Sequence, residues 1–434
     1  MSIKTVAASK ELNFVNKREQ AVSASSARLD VPANNGSSFT PGQTIDIRLP
    51  SGMTRGSYMD FENSYVKMKI QAKRGGTGTT FDLHLPRNGV HNVISKVEIM
   101  SSTSTISVIE SYNKLCNIFL DSESSQAYKE GLGNAQLGTG GGSATTGIPL
   151  TSTTADELVS TTFCLGLILT PLWSSSKYLP LFHQDNLIIR LTLANFEDAF
   201  VGGSAATQAL CAPVVGPVSM ICNVVNLDAS AQSAIDESNG GLYQMVLDDW
   251  RNSAGGAIQT TQRLINQNLG FSNQSLSRVI FAFYLASTTT TDSNGARPSR
   301  HVSEYTFMLN GRAYPASKIK ASTISTDINV SEAVAEIRAS TRQSGDFQQG
   351  GDIDEGQFIS DTETGRAFYE IDLESLRSET DAIYSGLYTV GGSTSLECSM
   401  NLDGAAVENL QVWGQYQGAL TLDTTTNNVF TYSV

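Results

Sequence analysis

The chain has 434 residues, a formal net charge of −13, 40% hydrophobic residues and only 16% charged ones. Its length exceeds what one hydrophobic core supports, so two domains are expected, and its acidity excludes direct wrapping of nucleic acid, which needs Lys and Arg to displace counterions from phosphate. Ser, Thr, Asn, Gln and Gly stand where charges are missing, which suits a protein whose sides pack against identical neighbours without burying costly charge.

Residues 1–27 show no sustained periodicity, and Lys4, Lys10, Lys17 and Arg18 are diluted by Glu11 and Glu19, so this arm is expected to act as a tether rather than a polyanion binder. The opening residues lack the apolar core of a signal peptide, and no apolar run approaches the roughly 18 residues that cross a bilayer, which places synthesis in the cytoplasm. Strict alternation then predicts half-buried strands at 44–49, with Ile45, Ile47 and Leu49 inward, and at 65–70, with Val66, Met68 and Ile70 opposite Lys67 and Lys69. Strands at 81–85 and 94–100 flank the turn Pro86-Arg87-Asn88-Gly89, whose Asn and Gly accept the positive φ of a tight reversal.

A helix is expected over 110–120, where Tyr112, Leu115, Cys116 and Phe119 form one buried stripe. Residues 122–160 form a Gly-, Ser- and Thr-rich insertion placed on an outer surface, and a strand follows at 161–169. Residues 171–200 join an aromatic loop to a strand with Leu187, Ile189, Leu191 and Leu193 on one face and Ile188, Arg190 and Thr192 on the other. A soft loop at 202–208 and a strand at 218–227 close the first domain. Residues 229–250 predict a helix broken in two at Gly240-Gly241, and the domain junction falls there.

The second half continues with strands at 278–285 and 302–309, the latter reversing at Asn310-Gly311, the strongest short hairpin signal in the chain. A short helix at 331–340 turns Val334 and Ile337 inward, and strands follow at 367–372, 387–390, 393–400 and 408–416. Many short strands with few helices describe an all-β protein: an arm over 1–27 and two consecutive antiparallel jelly-roll β-sandwiches over 28–245 and 246–434. The connections are too short and polar for a parallel α/β fold.

Catalytic, metal and cofactor motifs are absent. Neither His84, His91, His183 nor His301 has a metal-ligand spacing to another His or Cys, and His84 and His91 flank a turn, where solvation is expected. The glycine run 138–142 lacks the Gly-Lys-Ser/Thr of a phosphate loop, and Asp352, Asp354 and Glu355 miss the spacing of a calcium loop. Acidic pairs such as Asp121 with Glu123, and Asp361 with Glu363, read as solvated faces, and no GxSxG elbow occurs. Cys116, Cys164, Cys211, Cys222 and Cys398 are odd in number and form no CxxC pair, as free thiols made in a reducing compartment would be. No catalytic residue, cofactor or metal is therefore assigned. Trp173, Lys177, Tyr178, Leu179 and Pro180 form the candidate packing or intersubunit loop. Two alternatives stand beside a structural role: a carbohydrate- or receptor-binding sandwich using Trp173, Tyr178 and Trp413 as a ring platform, and a β-sandwich hydrolase with facing carboxylates.

In the first half, FENSYVKMKIQAK, LPRNGVHNVISKVEIM, IESYNKLCNIFL, PLWSSSKYLPL and DNLIIRLTLANFEDAF occur in order; in the second, SLSRVIFAFYLAS, HVSEYTFMLNGRAYP, GRAFYEIDLES and NNVFTYSV do. This series, over roughly residues 40–434, resembles the double jelly-roll major capsid proteins of Polinton-like viruses, virophages and related eukaryotic DNA viruses. The resemblance implies two upright jelly rolls per chain, a homotrimer of pseudo-hexagonal outline, and trimers tiling an icosahedral shell with neighbouring capsomers, penton and minor capsid proteins. The protein would reside in the virion, without direct nucleic-acid contact, its arm lying at the capsid base near neighbours, minor proteins or an internal membrane. The very long tower insertions of some relatives are missing from this sequence.

Overall fold

Alternation of apolar and polar residues builds most of the chain: Ile189, Leu191 and Leu193 are buried, while Ile188, Arg190 and Thr192 between them stay half-exposed. The computed structural model describes residues 24–73, 85–102, 104–139, 158–175, 177–200, 212–286, 295–324, 326–340, 353–362, 364–374, 385–425 and 429–433. Expectations for the arm up to residue 23, strand residues 81–84, the loops at 202–208 and 287–294, His84, Cys211, Asp352 and Glu363 lie outside the described residues.

The first half contributes β1 (Ala24–Pro32), β2 (Thr44–Arg48), β3 (Ser57–Lys73), β4 (Ile94–Met100), β5 (Thr105–Glu110), β6 (Leu158–Leu165), the two-residue β7 (Leu179–Pro180), β8 (Ile188–Leu193) and β9 (Val214–Leu227). The second contributes β10 (Leu242–Ile258), β11 (Leu264–Asn268), β12 (Leu276–Leu285), β13 (Val302–Leu309), β14 (Arg312–Lys320), a small ribbon of β15 (Ser322–Ile324) and β16 (Asp327–Asn329), β17 (Tyr369–Asp372), β18 (Thr394–Met400), β19 (Glu408–Asp423) and β20 (Phe430–Ser433).

These strands form two pairs of sheets, ordered β1-β9-β3-β6 over β2-β8-β4-β5, and β10-β19-β12-β17 over β11-β18-β13-β14, with β7 added beside β3 and β20 beside β19. Partners are nested: β1 pairs with β9, β2 with β8, β3 with β6 and β4 with β5, all antiparallel. The second half repeats the scheme, pairing β10 with β19, β11 with β18, β12 with β17 and β13 with β14. Nesting of this kind arises when one long antiparallel ribbon rolls over on itself, so the chain is two jelly rolls in succession, as expected. Each has its own core. Ile47, Met68, Ile99, Leu191 and Met220 are buried in the first; in the second, Phe281 packs its ring 5.2 Å from Tyr305 and 5.1 Å from Tyr369.

Several expectations are corrected. Residues 242–250 are strand, not helix. Leu242, Met245 and Val246 imitate helical spacing, but the buried row is Tyr243, Met245 and Leu247, and Gly240 and Gly241, with φ of +61 and +80, end the preceding helix Ala229–Asn239. The insertion after residue 122 is not wholly surface: it folds into the helices Gln126–Glu130 and Leu132–Leu137, with Lys129 and Leu137 buried. In the helix Ser331–Ser340 it is Ala333, not Val334, that joins Ile337 inward. Residues 387–390 make only an isolated bridge from Leu387 to Leu276. Strand β1 already begins at Ala24, inside the stretch read as an arm. The Asn310-Gly311 reversal between β13 and β14 is formed as expected, with φ of +51 and +79.

Candidate functional site

Between the jelly rolls runs a buried seam, and it holds the most unusual chemistry in the chain. The helix Tyr112–Glu123 carries not only its apolar stripe but a second buried row, Asn113, Asn117 and Asp121, at four-residue spacing. Asp121 is fully buried. Its Oδ1 accepts from Lys129 Nζ at 2.9 Å and from Asn88 Nδ2 at 3.1 Å, with Arg87 Nε at 3.5 Å. Its Oδ2 accepts from Arg297 Nη2 at 2.6 Å, with Arg366 Nη1 at 3.9 Å. Burial alone would raise the Asp121 pKa, but Lys129, then Arg297, Arg366 and Arg87, outweigh it and hold the carboxyl well below its ordinary range. Arg87 and Lys129 belong to the first jelly roll, Arg297 and Arg366 to the second, so one carboxylate ties both together.

The rest of the seam is aromatic and hydrogen-bonded. Trp413 Nε1 donates to Glu110 O at 3.3 Å and Tyr284 OH to Lys114 O at 3.2 Å. Phe119 meets Trp250 edge-on at 5.4 Å, and the Arg278 guanidinium lies 5.1 and 5.2 Å from the two ring centres. Ser107 Oγ on β5 donates to Asp249 Oδ1 on β10 at 2.7 Å, and Tyr416 OH donates to Oδ2 at 2.7 Å. Burial pushes Asp249 up to about 6 against those hydrogen bonds.

Glu370, buried on β17 and bonded by Ser340 Oγ, is pushed up to about 8 by burial, with Arg278 pulling the other way. Its folded pKa lies above its unfolded value, so its contribution to stability is lost as pH rises through about 8. Between pH 6.5 and 9 this group should cost the native protein about 2 kcal/mol. Glu370→Gln should remove that part of the pH slope in urea unfolding; an unchanged slope would contradict the assignment. The window avoids His91 and His183, which burial lowers to about 4 and whose slopes run the other way at lower pH.

The sequence-predicted loop divides in two. Trp173 is half-buried, donates through Nε1 to Ser64 O at 3.1 Å and packs edge-on to Phe61 at 4.8 Å. Leu179 and Pro180 are buried as β7 against Tyr58 and Met59. Lys177 and Tyr178 face outward. The ring platform does not form, because Trp413 is 0% exposed within the seam.

Other expectations for polar groups also change. His91 is buried, with Nδ1 3.3 Å from Tyr112 OH, and His183 is buried beside the Phe430 ring at 4.8 Å. His301 Nε2 lies 3.3 Å from Asp361 Oδ2, and that aspartate also accepts from the amides of Arg300 and Ala405. Asp354 caps the helix Glu355–Ile359 in a reciprocal box with Gln357. Among the described residues, no three His, Cys, Asp or Glu side chains are grouped to hold a metal ion. Cys116, Cys222 and Cys398 are buried free thiols, and Cys164 is a half-exposed one. The seam's charges escaped sequence reading because they lie in segments that look like polar loops. The Asn113, Asn117, Asp121 spacing was the available signal.

No family model and no curated protein sequence matches the chain. Solved structures do match over almost the full length. PBCV-1 VP54, fitted into a reconstruction of the virophage Sputnik, is 12% identical and aligns over 98% of this chain and 99% of its own, with a TM-score of 0.60. The Faustovirus major capsid protein is 6% identical over 94% and 92%, with a TM-score of 0.59. The mavirus major capsid protein is 8% identical over 99% and 95%, with a TM-score of 0.53. At these identities the likeness is one of fold, the double jelly roll.

Proposed function

We propose that this chain is the major capsid protein of an icosahedral DNA virus, a non-enzymatic subunit whose function is its shape. The observation that carries the reading is the pair of nested jelly rolls, matched end to end by viral major capsid proteins with almost no unmatched remainder on either side. The division at 28–245 and 246–434 then gives two wall units per chain, joined through the helix Ala229–Asn239. The Asp121 seam supports the same reading, since a shell unit must hold its two halves at a fixed angle.

Three copies form a capsomer of pseudo-hexagonal outline, six similar barrels filling a hexagonal position under true threefold symmetry. Capsomers then tile the shell beside one another, with penton and minor capsid proteins at special positions. The segment before β1 extends from the capsomer toward neighbours, minor proteins or an internal membrane, and Lys177 and Tyr178 serve as an intersubunit contact. The protein's place is the virion. Light scattering on the expressed chain should report three times 46.5 kDa, about 140 kDa, and negative-stain images should show hexagonal outlines. A chain that stays monomeric at every concentration and binds glycans would overturn the proposal.

A further inference from the structure

The contact between the two jelly rolls is head-to-tail. The first jelly roll gives β5 and the helix that follows it, Tyr112–Glu123. The second receives them on the outward face of its β10-β19-β12-β17 sheet, where Trp250, Arg278, Tyr284 and Trp413 are covered. Because both jelly rolls share one strand order, each surface has a counterpart on the other. The giving surface corresponds to β14 and the helix Ser331–Ser340, which likewise follows the strand paired to β13. The receiving surface corresponds to the outward face of β1-β9-β3-β6.

Both counterparts stand open in the single chain. Most of β1 is exposed, and Arg28, Glu62, Asn63, Tyr65 and Asn223 line an open polar cleft of about 450 Å³ on that face. Lys67 is exposed and Lys69 half-exposed beside it. On the helix, Glu332, Val334 and Ala335 face outward.

We infer that these two surfaces bind each other between copies: β14 and the helix Ser331–Ser340 of one chain seat on the outward face of β1-β9-β3-β6 of the next. The inference rests on the proposed shell function, for which it names the contact. The basic Arg28, Lys67 and Lys69 on the sheet face suit the acidic Glu332 on the helix. The open face is also more polar than the aromatic face inside the chain, as fits a contact made after each copy has folded. Being heterologous, the contact adds copies in one direction until a ring closes.

Two variants test it, each changed only at surface positions. Lys67→Glu with Lys69→Glu reverses the sheet face, and Glu332→Lys with Val334→Glu spoils the helix face. Sedimentation velocity should show each variant alone losing the species of about 140 kDa formed by the native chain while keeping its unfolding temperature. Mixed one to one, they should form a heterodimer and nothing larger, because one intact pair of surfaces remains between them. If the native chain assembles and both variants assemble equally well, or their mixture stays monomeric, the contact is refuted and the shell function is untouched. A native chain that never assembles would remove both.

Discussion

Asp121→Asn is expected to lower the unfolding free energy by about 3–5 kcal/mol at neutral pH, the range for stripping one partner from a buried ion pair. The amide keeps the shape but removes the negative charge shared by Lys129, Arg297, Arg366 and Arg87, and the water that would solvate those cations is excluded. The folded pKa of Asp121 is depressed, so the carboxylate's contribution is present above its ordinary value of 3.8 and lost as pH falls toward the folded value. The native and variant curves should therefore converge in acid. Trp250 and Trp413 sit in the same seam, so the tryptophan fluorescence midpoint in urea reads the change directly. A shift worth less than about 1 kcal/mol would mean that the cluster is not what holds the halves together.

Gly89→Ala is expected to destabilise by about 3 kcal/mol or more. Gly89 has φ of +69, and a methyl group there would lie 2.1 Å from the Leu137 carbonyl oxygen, a backbone atom that cannot rotate away. Gly311→Ala supplies the control: its φ of +79 is equally unfavourable, but nothing lies within 4 Å of the added carbon. That variant should lose only about 1–2 kcal/mol, the backbone penalty alone. Thermal unfolding of both separates conformational cost from collision; equal losses would show that the approach of Leu137 relaxes freely.

Gly89 also illustrates what a sequence can and cannot disclose. Its place in Pro86-Arg87-Asn88-Gly89 announced a reversal, because local chemistry selects positive φ. The carbonyl pressed against it belongs to the helix Leu132–Leu137, which no local signal near residue 89 could indicate. The strands at 44–48 and 188–193 were legible because alternation records burial on one face. Residues 242–250 misled because Leu242 is exposed, so the apolar spacing there did not mark the buried row. Strand β1 left little trace, since pairing with β9 uses backbone groups and only Leu29 and Val31 turn partly inward. The candidate loop was half legible: its apolar Leu179 and Pro180 pack as their character suggests, whereas Trp173 is fixed by a carbonyl far away in sequence, on Ser64. The Asp121 cluster was hidden for the same reason, its cations coming from four separate segments of the chain.

The nesting of strand pairs sets an order of events in time. Within the first jelly roll β4 and β5 are close neighbours along the chain, whereas Ala24 at the start of β1 pairs with Leu227 at the end of β9. Closing so long a loop costs entropy that only the already paired inner strands can offset. Pairing is thus expected to run from the centre of each ribbon outward, with β1 the last strand laid into its sheet. The outward face that β1 helps to form exists only once the rest of that jelly roll is in place, so a half-folded copy presents no complete surface to a growing shell. The winding of the ribbon itself would then act as a proofreading step between synthesis and assembly.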